Sequence, residues 1–223
     1  MRKPQPNAWE SSLPDVVKAL RLLALPIASC AVHAGSPADF ILAAEHAAPL
    51  IPTSPNPHTP GAPWLRVGLK SQTLVRYDGW GREVKRYRVS TAKNGAGEQE
   101  NSYRTPRGWH TVCEKIGEGA AADTILYHRE ITPWKYTEEL HRQYPGKDWI
   151  LTRILWLCGQ EPGRNQGGSV DSHDRAIYIH GAGHHVPFGT PSSLGCVRMT
   201  SPDVIELFDT TPVGTDVVIN END

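Results

Sequence analysis

The chain has 223 residues, 39% of them hydrophobic and 21% charged, and its formal net charge is −1. So near-neutral a balance gives no basic footprint for a nucleic acid or another polyanion. No apolar run approaches the ~18 residues that a membrane-spanning helix needs, and the length predicts one globular domain plus a tail.

Residues 1–34 have the character of a delivery segment. Ala24-Leu25-Pro26-Ile27-Ala28-Ser29-Cys30 reads as the end of an export signal. Ile27-Ala28-Ser29-Cys30 fits a lipoprotein box with lipidation at Cys30, whereas Val32-His33-Ala34 fits an ordinary cleavage site. Glu10, Asp15 and Arg21 interrupt that pattern, so an amphipathic helix over 16–28 stands as the alternative. Residues 35–63 read as a Pro-rich linker. Its second half, 51–63, holds five prolines, which favour stiff, extended chain.

From residue 64 the pattern becomes that of strands. Leu65, Val67 and Leu69 share one face of a run over 64–70, and 72–77 makes a second run. Asp78-Gly79 is a hairpin-turn signal, with 83–90 as the return strand. Thr105-Pro106-Arg107-Gly108 reads as a turn feeding a strand through Val112, because proline fixes φ and glycine frees the turn. Residues 137–144 predict a short polar helix in an insertion over the cleft. In 175–180, Ile177 and Ile179 fall on one strand face and Tyr178 and His180 on the other. Residues 201–208 predict a helix with Ser201 as cap, Pro202 in the first turn and Asp203 at the positive end of the dipole. Pro212-Val213-Gly214 then turns the chain into a last strand over 215–219.

The chemistry gathers between His180 and Met199. His180 ends an alternating strand, and Cys196 follows sixteen residues later, directly after Gly195. A cysteine attacks as thiolate, and a free thiol of pKa ~8.5 is only a few per cent ionised at pH 7. A neighbouring imidazole can take the proton and hold the thiolate as an ion pair. Cys196 and His180 are therefore the expected catalytic pair, with the Gly181 carbonyl orienting the imidazole from its other ring nitrogen. The amides around Gly195 and Cys196 can form an oxyanion hole. The planar fork of Arg198 can bind a substrate carboxylate, or else hold the loop by bonding backbone carbonyls. Ser193 and Tyr178 join Arg198 and Gly195 as candidate substrate contacts, and His184 and His185 read as loop residues. Of the remaining cysteines, Cys113 and Cys158 lie in apolar contexts and read as buried thiols, with a disulfide between them as the alternative. There is no CxxC or HExxH pattern, so no metal site is expected. A metal hydrolase using His180, His184, His185 and Cys196 is disfavoured, because Gly183 and Pro187 prevent a helix that would present the ligands.

His180-Gly181 followed by Ser193-Leu194-Gly195-Cys196-Val197-Arg198-Met199 resembles the signature of the L,D-transpeptidase (YkuD-type) catalytic domain. Thr105-Pro106-Arg107-Gly108 resembles that family's Thr-Pro-x-Gly segment. The resemblance extends over most of 64–220 and implies a mainly β fold, a mixed β-sandwich with a few short helices. It implies peptidoglycan stem peptides as substrates and no cofactor. Cys196 would attack the carbonyl of the L-centre of diaminopimelate, D-alanine would leave, and an amine would open the thioester. A second stem peptide as acceptor gives a 3→3 cross-link, a lysine of an envelope lipoprotein gives an anchor, and water gives an L,D-carboxypeptidase or endopeptidase. A wall-binding module without turnover is the non-enzymatic alternative. Peptidoglycan lies outside the cytoplasm, so the resemblance also implies the cell envelope (periplasm), with membrane contact only through a lipid anchor at Cys30. In one departure, many members carry a second histidine just before the Gly-Cys pair, and here Leu194 stands there.

Overall fold

A computed structural model describes residues 60–222. The export readings on 1–34 and the linker up to residue 59 lie outside the described residues. The alternating run at 64–70 forms β1 (Trp64–Gly68), and the next forms β2 (Thr73–Tyr77), joined to β3 (Glu83–Arg88) by the expected turn. Asp78 makes that turn, its carboxylate accepting from the amides of Trp80 at 3.0 Å and Arg82 at 2.9 Å. There follow β4 (Gly108–Ile116), the hairpin β5 (Thr124–Tyr127) and β6 (Glu130–Lys135), α1 (Glu138–Gln143) and β7 (Ile150–Gly159). The last elements are β8 (Tyr178–Ala182), β9 (Val197–Thr200), α2 (Ser201–Thr210) and β10 (Asp216–Asn220).

The ten strands form one mixed sheet. Ile154 of β7 pairs both Ile116 of β4 and His180 of β8, so those two strands occupy opposite edges of β7. β1/β10 and β8/β9 are parallel pairs, and the rest of the ladder is antiparallel. The sheet curls until its ends meet: Ser90, just beyond β3, exchanges two backbone hydrogen bonds of 2.9 Å with Arg198 of β9. The expected sandwich is thus one sheet folded over a single main core. Leu65, Val67, Leu155, Leu157, Ile179, Val197, Met199, Val217 and Ile219 all enter that core. Each fully buried aliphatic side chain contributes roughly 1.5–3 kcal/mol.

α2 closes the core with Val204, Leu207 and Phe208, spaced i, i+3, i+4. Its cap is Thr200, not Ser201. The Thr200 hydroxyl accepts from the Asp203 amide at 3.3 Å and donates to the Asp203 carboxylate at 2.7 Å. Thr200 is the last residue of β9 and still extended, so its side chain reaches the orphan amides while Ser201 is already helical. α1 is capped by Thr137, whose hydroxyl accepts from the Leu140 amide at 3.1 Å. Leu140 and Tyr144 pack it onto Ile125, Tyr136, Trp149 and Leu151.

Cys113 and Cys158 form a disulfide, not two buried thiols. The antiparallel register sets Thr111 opposite Cys158, and a bulge after Val112 displaces Cys113 from regular pairing. Strand register alone brings together residues 45 apart in the chain. Closing a loop of that length removes about 4 kcal/mol of unfolded-state entropy. Reduction by a dithiol should therefore lower the unfolding free energy by up to about 4 kcal/mol in denaturant titrations, with an unchanged midpoint as the contrary result.

His110 makes a second prediction. It is fully buried, its Nδ1–H donates to the Gly108 carbonyl at 3.0 Å, and its Nε2 accepts from the Ser172 hydroxyl at 2.9 Å. Burial pushes its pKa down from 6.5 to about 4; the Gly108 bond opposes this, and Arg164 and Arg175 add to the lowering. Above pH 6.5 the ring is neutral in both the folded and unfolded states. Below it the unfolded chain takes up a proton that the folded one refuses, so stability falls as pH drops toward 4. The loss over that window is about 3 kcal/mol. His110→Gln should flatten the pH dependence of the melting temperature between pH 7 and 4, and an equally steep profile in the variant would exclude His110 as its source.

Candidate active site

β8 and β9 lie side by side in parallel, with Ile179 opposite Val197 and His180 opposite Arg198. Partners across a ladder point the same way, and side chains alternate along each strand. Ile177, Ile179, Val197 and Met199 accordingly enter the main core. By the same rule Tyr178, His180, Arg198 and, one step before β9, Cys196 belong to the other face. There Tyr178 and Cys196 pack with Leu126, Ile154 and Trp156.

His180 is fully buried. Its Nδ1 lies 2.9 Å from the Gly181 carbonyl, which can only accept, so Nδ1 carries the proton and Nε2 keeps its lone pair. Nε2 is buried without a hydrogen-bond partner among the described residues. Burial holds the imidazole below the usual histidine range; the Asp148 charge and the Gly181 bond oppose that, and Arg198 reinforces it. Gly181 admits no side chain, because a Cβ would sit 2.6 Å from the Leu151 carbonyl oxygen. That close approach occurs at a bulge in β7, where Thr152 has φ 57°, an uncommon conformation for a β-branched residue.

The Cys196 thiol donates to the Ala176 carbonyl at 3.4 Å, and the Tyr178 backbone amide favours the ionised sulfur. Ala176 ends a turn built on Asp171, whose carboxylate accepts from the amides of His173 at 2.9 Å and Asp174 at 3.1 Å. Burial pushes the thiol up to about 12, and the Asp148 charge adds to this, while the Tyr178 amide, Arg198 and Arg175 oppose it. Burial thus favours the neutral form of each group in the absence of substrate, the thiol of Cys196 and the uncharged imidazole of His180.

The other expected site residues are mostly engaged inside the loop. Ser193 is fully buried, its hydroxyl donating to the Cys196 carbonyl at 2.6 Å and accepting from the Gly195 amide at 3.2 Å. The Gly195 carbonyl accepts from the Thr105 hydroxyl at 2.9 Å. In this conformation Ser193 and Gly195 shape the bend that carries Cys196, and the Gly195 amide is not free to serve an oxyanion. Arg198 is 8% exposed and pairs with Asp148 at 2.8 Å, while its second nitrogen donates to the Ser192 carbonyl and hydroxyl at 3.3 Å. In this conformation the chain itself supplies a carboxylate to the Arg198 guanidinium. Asp148 stands fifty residues before Arg198 in no recognisable motif, so sequence reasoning misses it. The phenol of Tyr178 sits edge-on to Trp156, with ring centroids 5.2 Å apart.

The short helix is tied to the loop after β8. His185 accepts or donates at Nδ1 to the Tyr136 hydroxyl at 2.9 Å and stacks on His141 of α1 at 3.7 Å. Gly183 permits this, since a Cβ there would come within 2.5 Å of the Tyr136 hydroxyl. His184 and Leu194 are exposed. His180, His184, His185 and Cys196 do not converge at metal-ligand distance. The grouping that does so among the described residues is Cys113, Cys158 and His173, with donor atoms within 4.8 Å of one another, and there the two sulfurs are bonded to each other.

Residues 62–219 match the YkuD L,D-transpeptidase catalytic domain. Two curated relatives, each named probable L,D-transpeptidase ErfK/SrfK, from Escherichia coli K12 and Salmonella typhimurium LT2, are 29% identical over 115 residues. The alignment takes in 52% of this chain and 32% of each relative, so the chain spans about a third of their length. Among solved structures, an L,D-transpeptidase from Mycobacterium smegmatis superposes with a TM-score of 0.44 at 14% identity, over 71% of this chain and 58% of that one. The match over 62–219 takes in well over half of the sequence, and the chain belongs to the YkuD L,D-transpeptidase catalytic-domain family.

Proposed function

We propose that this protein is a peptidoglycan L,D-transpeptidase of the cell envelope, with Cys196 as nucleophile and His180 as base. The observation that carries the reading is the buried His180 ring, protonated at Nδ1 and bare at Nε2, on the sheet face that also bears Cys196. Donor binding displaces water and lets the thiol turn from the Ala176 carbonyl to Nε2. His180 takes the proton as sulfur attacks the carbonyl of the L-centre of diaminopimelate. The Tyr178 amide, which favours the ionised sulfur, stabilises developing thiolate charge. The imidazolium then protonates the departing D-alanine amine, leaving a thioester. An incoming amine attacks that thioester, His180 accepts its proton, and the thiol is restored. Gly181 holds the base through its carbonyl. Arg198 acts through Asp148 and the loop rather than on substrate, and Ser193 and Gly195 set the bend. A stem peptide, a lipoprotein lysine or water as acceptor would give a cross-link, an anchor or hydrolysis. The Cys113–Cys158 disulfide supports an oxidising compartment. Cys30, the candidate lipid anchor, lies outside the described residues.

Mass spectrometry of muropeptides incubated with the protein tests this directly. Cys196→Ala should retain the fold and lose D-alanine release by at least ~1000-fold, and His180→Gln should lose ~100–10,000-fold. Release that survives in the Cys196 variant would sink the mechanism. The products separate 3→3 transfer from hydrolysis.

The resting protonation state gives a second test. Alkylation of free Cys196 by iodoacetamide should keep rising with pH beyond 9, since the thiol is pushed up to about 12. Asp148→Asn removes a charge that raises the thiol pKa and should speed alkylation several-fold at pH 8, at some cost in melting temperature, because Arg198 is left unpaired. A rate that levels off near pH 6 would mean that an ion pair exists before substrate arrives.

A further inference from the structure

The β5–β6 hairpin turns through two residues, His128 and Arg129, with Tyr127 paired to Glu130. Both central residues have positive φ, 49° and 69°. A two-residue turn of this hand favours Asn-Gly, and a bulky side chain there is strained. Such strain at a non-glycine turn often marks a placed side chain. What the turn places is the Arg129 guanidinium, 4.9 Å over the Trp156 ring and beside the Tyr178 phenol. Trp156 and Tyr178 belong to the apolar wall against which Cys196 packs. Arg129 is exposed, and no carboxylate pairs with it among the described residues.

The two guanidiniums that bear on the thiol, those of Arg198 and Arg175, are occupied. Arg198 is paired with Asp148. Arg175 donates to the carbonyls of Glu98 at 2.6 Å and Arg104 at 2.7 Å. A stem-peptide donor is rich in free carboxylates, and a guanidinium stacked on an indole keeps its outward edge available for a planar, two-pronged contact.

We propose that Arg129 is a specificity residue of the donor site, binding a free carboxylate of the stem peptide while Trp156 and Tyr178 hold its guanidinium in position. This rests on the stem-peptide reading above. The carboxylate can come from the D-centre of diaminopimelate or from the terminal D-alanine, and the experiment separates the two.

The test measures calorimetric binding of a diaminopimelate-containing tetrapeptide to Cys196→Ala, with and without Arg129→Asn. Asparagine tolerates positive φ, so the second change should leave the melting temperature equal or higher. Arg129→Asn should weaken binding about tenfold or more. Amidating the recognised carboxylate should weaken binding to Cys196→Ala by a similar factor and make no further difference in the double variant. Amidating the other carboxylate should act alike on both proteins. Equal affinity in both proteins, or no measurable binding to either, overturns the proposal. D-alanine release by the otherwise unaltered enzyme distinguishes the two readings. Carboxylate-dependent binding without any release supports Arg129 and sinks the catalytic reading, whereas release that Arg129→Asn leaves untouched sinks only the role of Arg129.

Discussion

The parallel pairing of β8 with β9 is the constraint on which the rest depends. Its register, Ile179 against Val197 and His180 against Arg198, decides in one step which residues enter the core and which meet on the other face. A slip by one residue would exchange the two sets and put the imidazole among aliphatic side chains. The register is fixed from both sides. β7 pairs with β8 along one edge, and Ser90 captures the backbone of Arg198 at the other, closing the curled sheet. α2 follows β9 without a linker and seals the core beneath, so the site stands on strands that also build the main core.

Electrostatics around the pair follow from that depth. Both His180 and Cys196 are held in their neutral forms chiefly by burial. Asp148 and Arg198 sit beside them as a nearly balanced pair of opposite charges. Asp148 favours protonation of the imidazole but disfavours ionisation of the thiol, and Arg198 does the reverse. Each charge thus acts with the same sign on both groups, and the pair brings no net charge to the site. The polar groups around the sulfur are backbone ones, the Ala176 carbonyl that accepts from the thiol and the Tyr178 amide that favours its ionised form, and the sheet and the Ala176 turn fix both in advance of any reaction.

Several backbone positions are conformationally demanding, and they cluster near this face. Thr152 at the β7 bulge, Ala176 ahead of β8 and the His128-Arg129 turn all have positive φ without being glycine. Each brings a polar group to bear on the pocket or its wall: Thr152 lies where the Leu151 carbonyl approaches Gly181, Ala176 presents its carbonyl to the thiol, and Arg129 covers Trp156. The stack of His141 on His185 ties the short helix to the loop after β8, so that loop is held by aromatic contact as well as by its backbone.

The sequence by itself determined the strands with clean alternation, the Asp78 turn, the two helices and the His180/Cys196 motif, because each is written in short-range periodicity or in a few adjacent residues. It also determined that Ile179 and His180 face opposite ways, since a period of two needs no partner strand. It placed the α2 cap one residue late, because Ser201 and Thr200 are equally good caps locally and only the end of β9 chooses between them. The disulfide, the Asp148–Arg198 pair and the position of Arg129 over Trp156 were decided by tertiary structure alone. Each joins residues more than twenty-five apart in the chain, through strand register and the closure of the sheet, and long-range register leaves no mark on local sequence. Desolvation belongs with these: residue types name an acid and a base, but burial by the folded surroundings is what shifts each toward its neutral form.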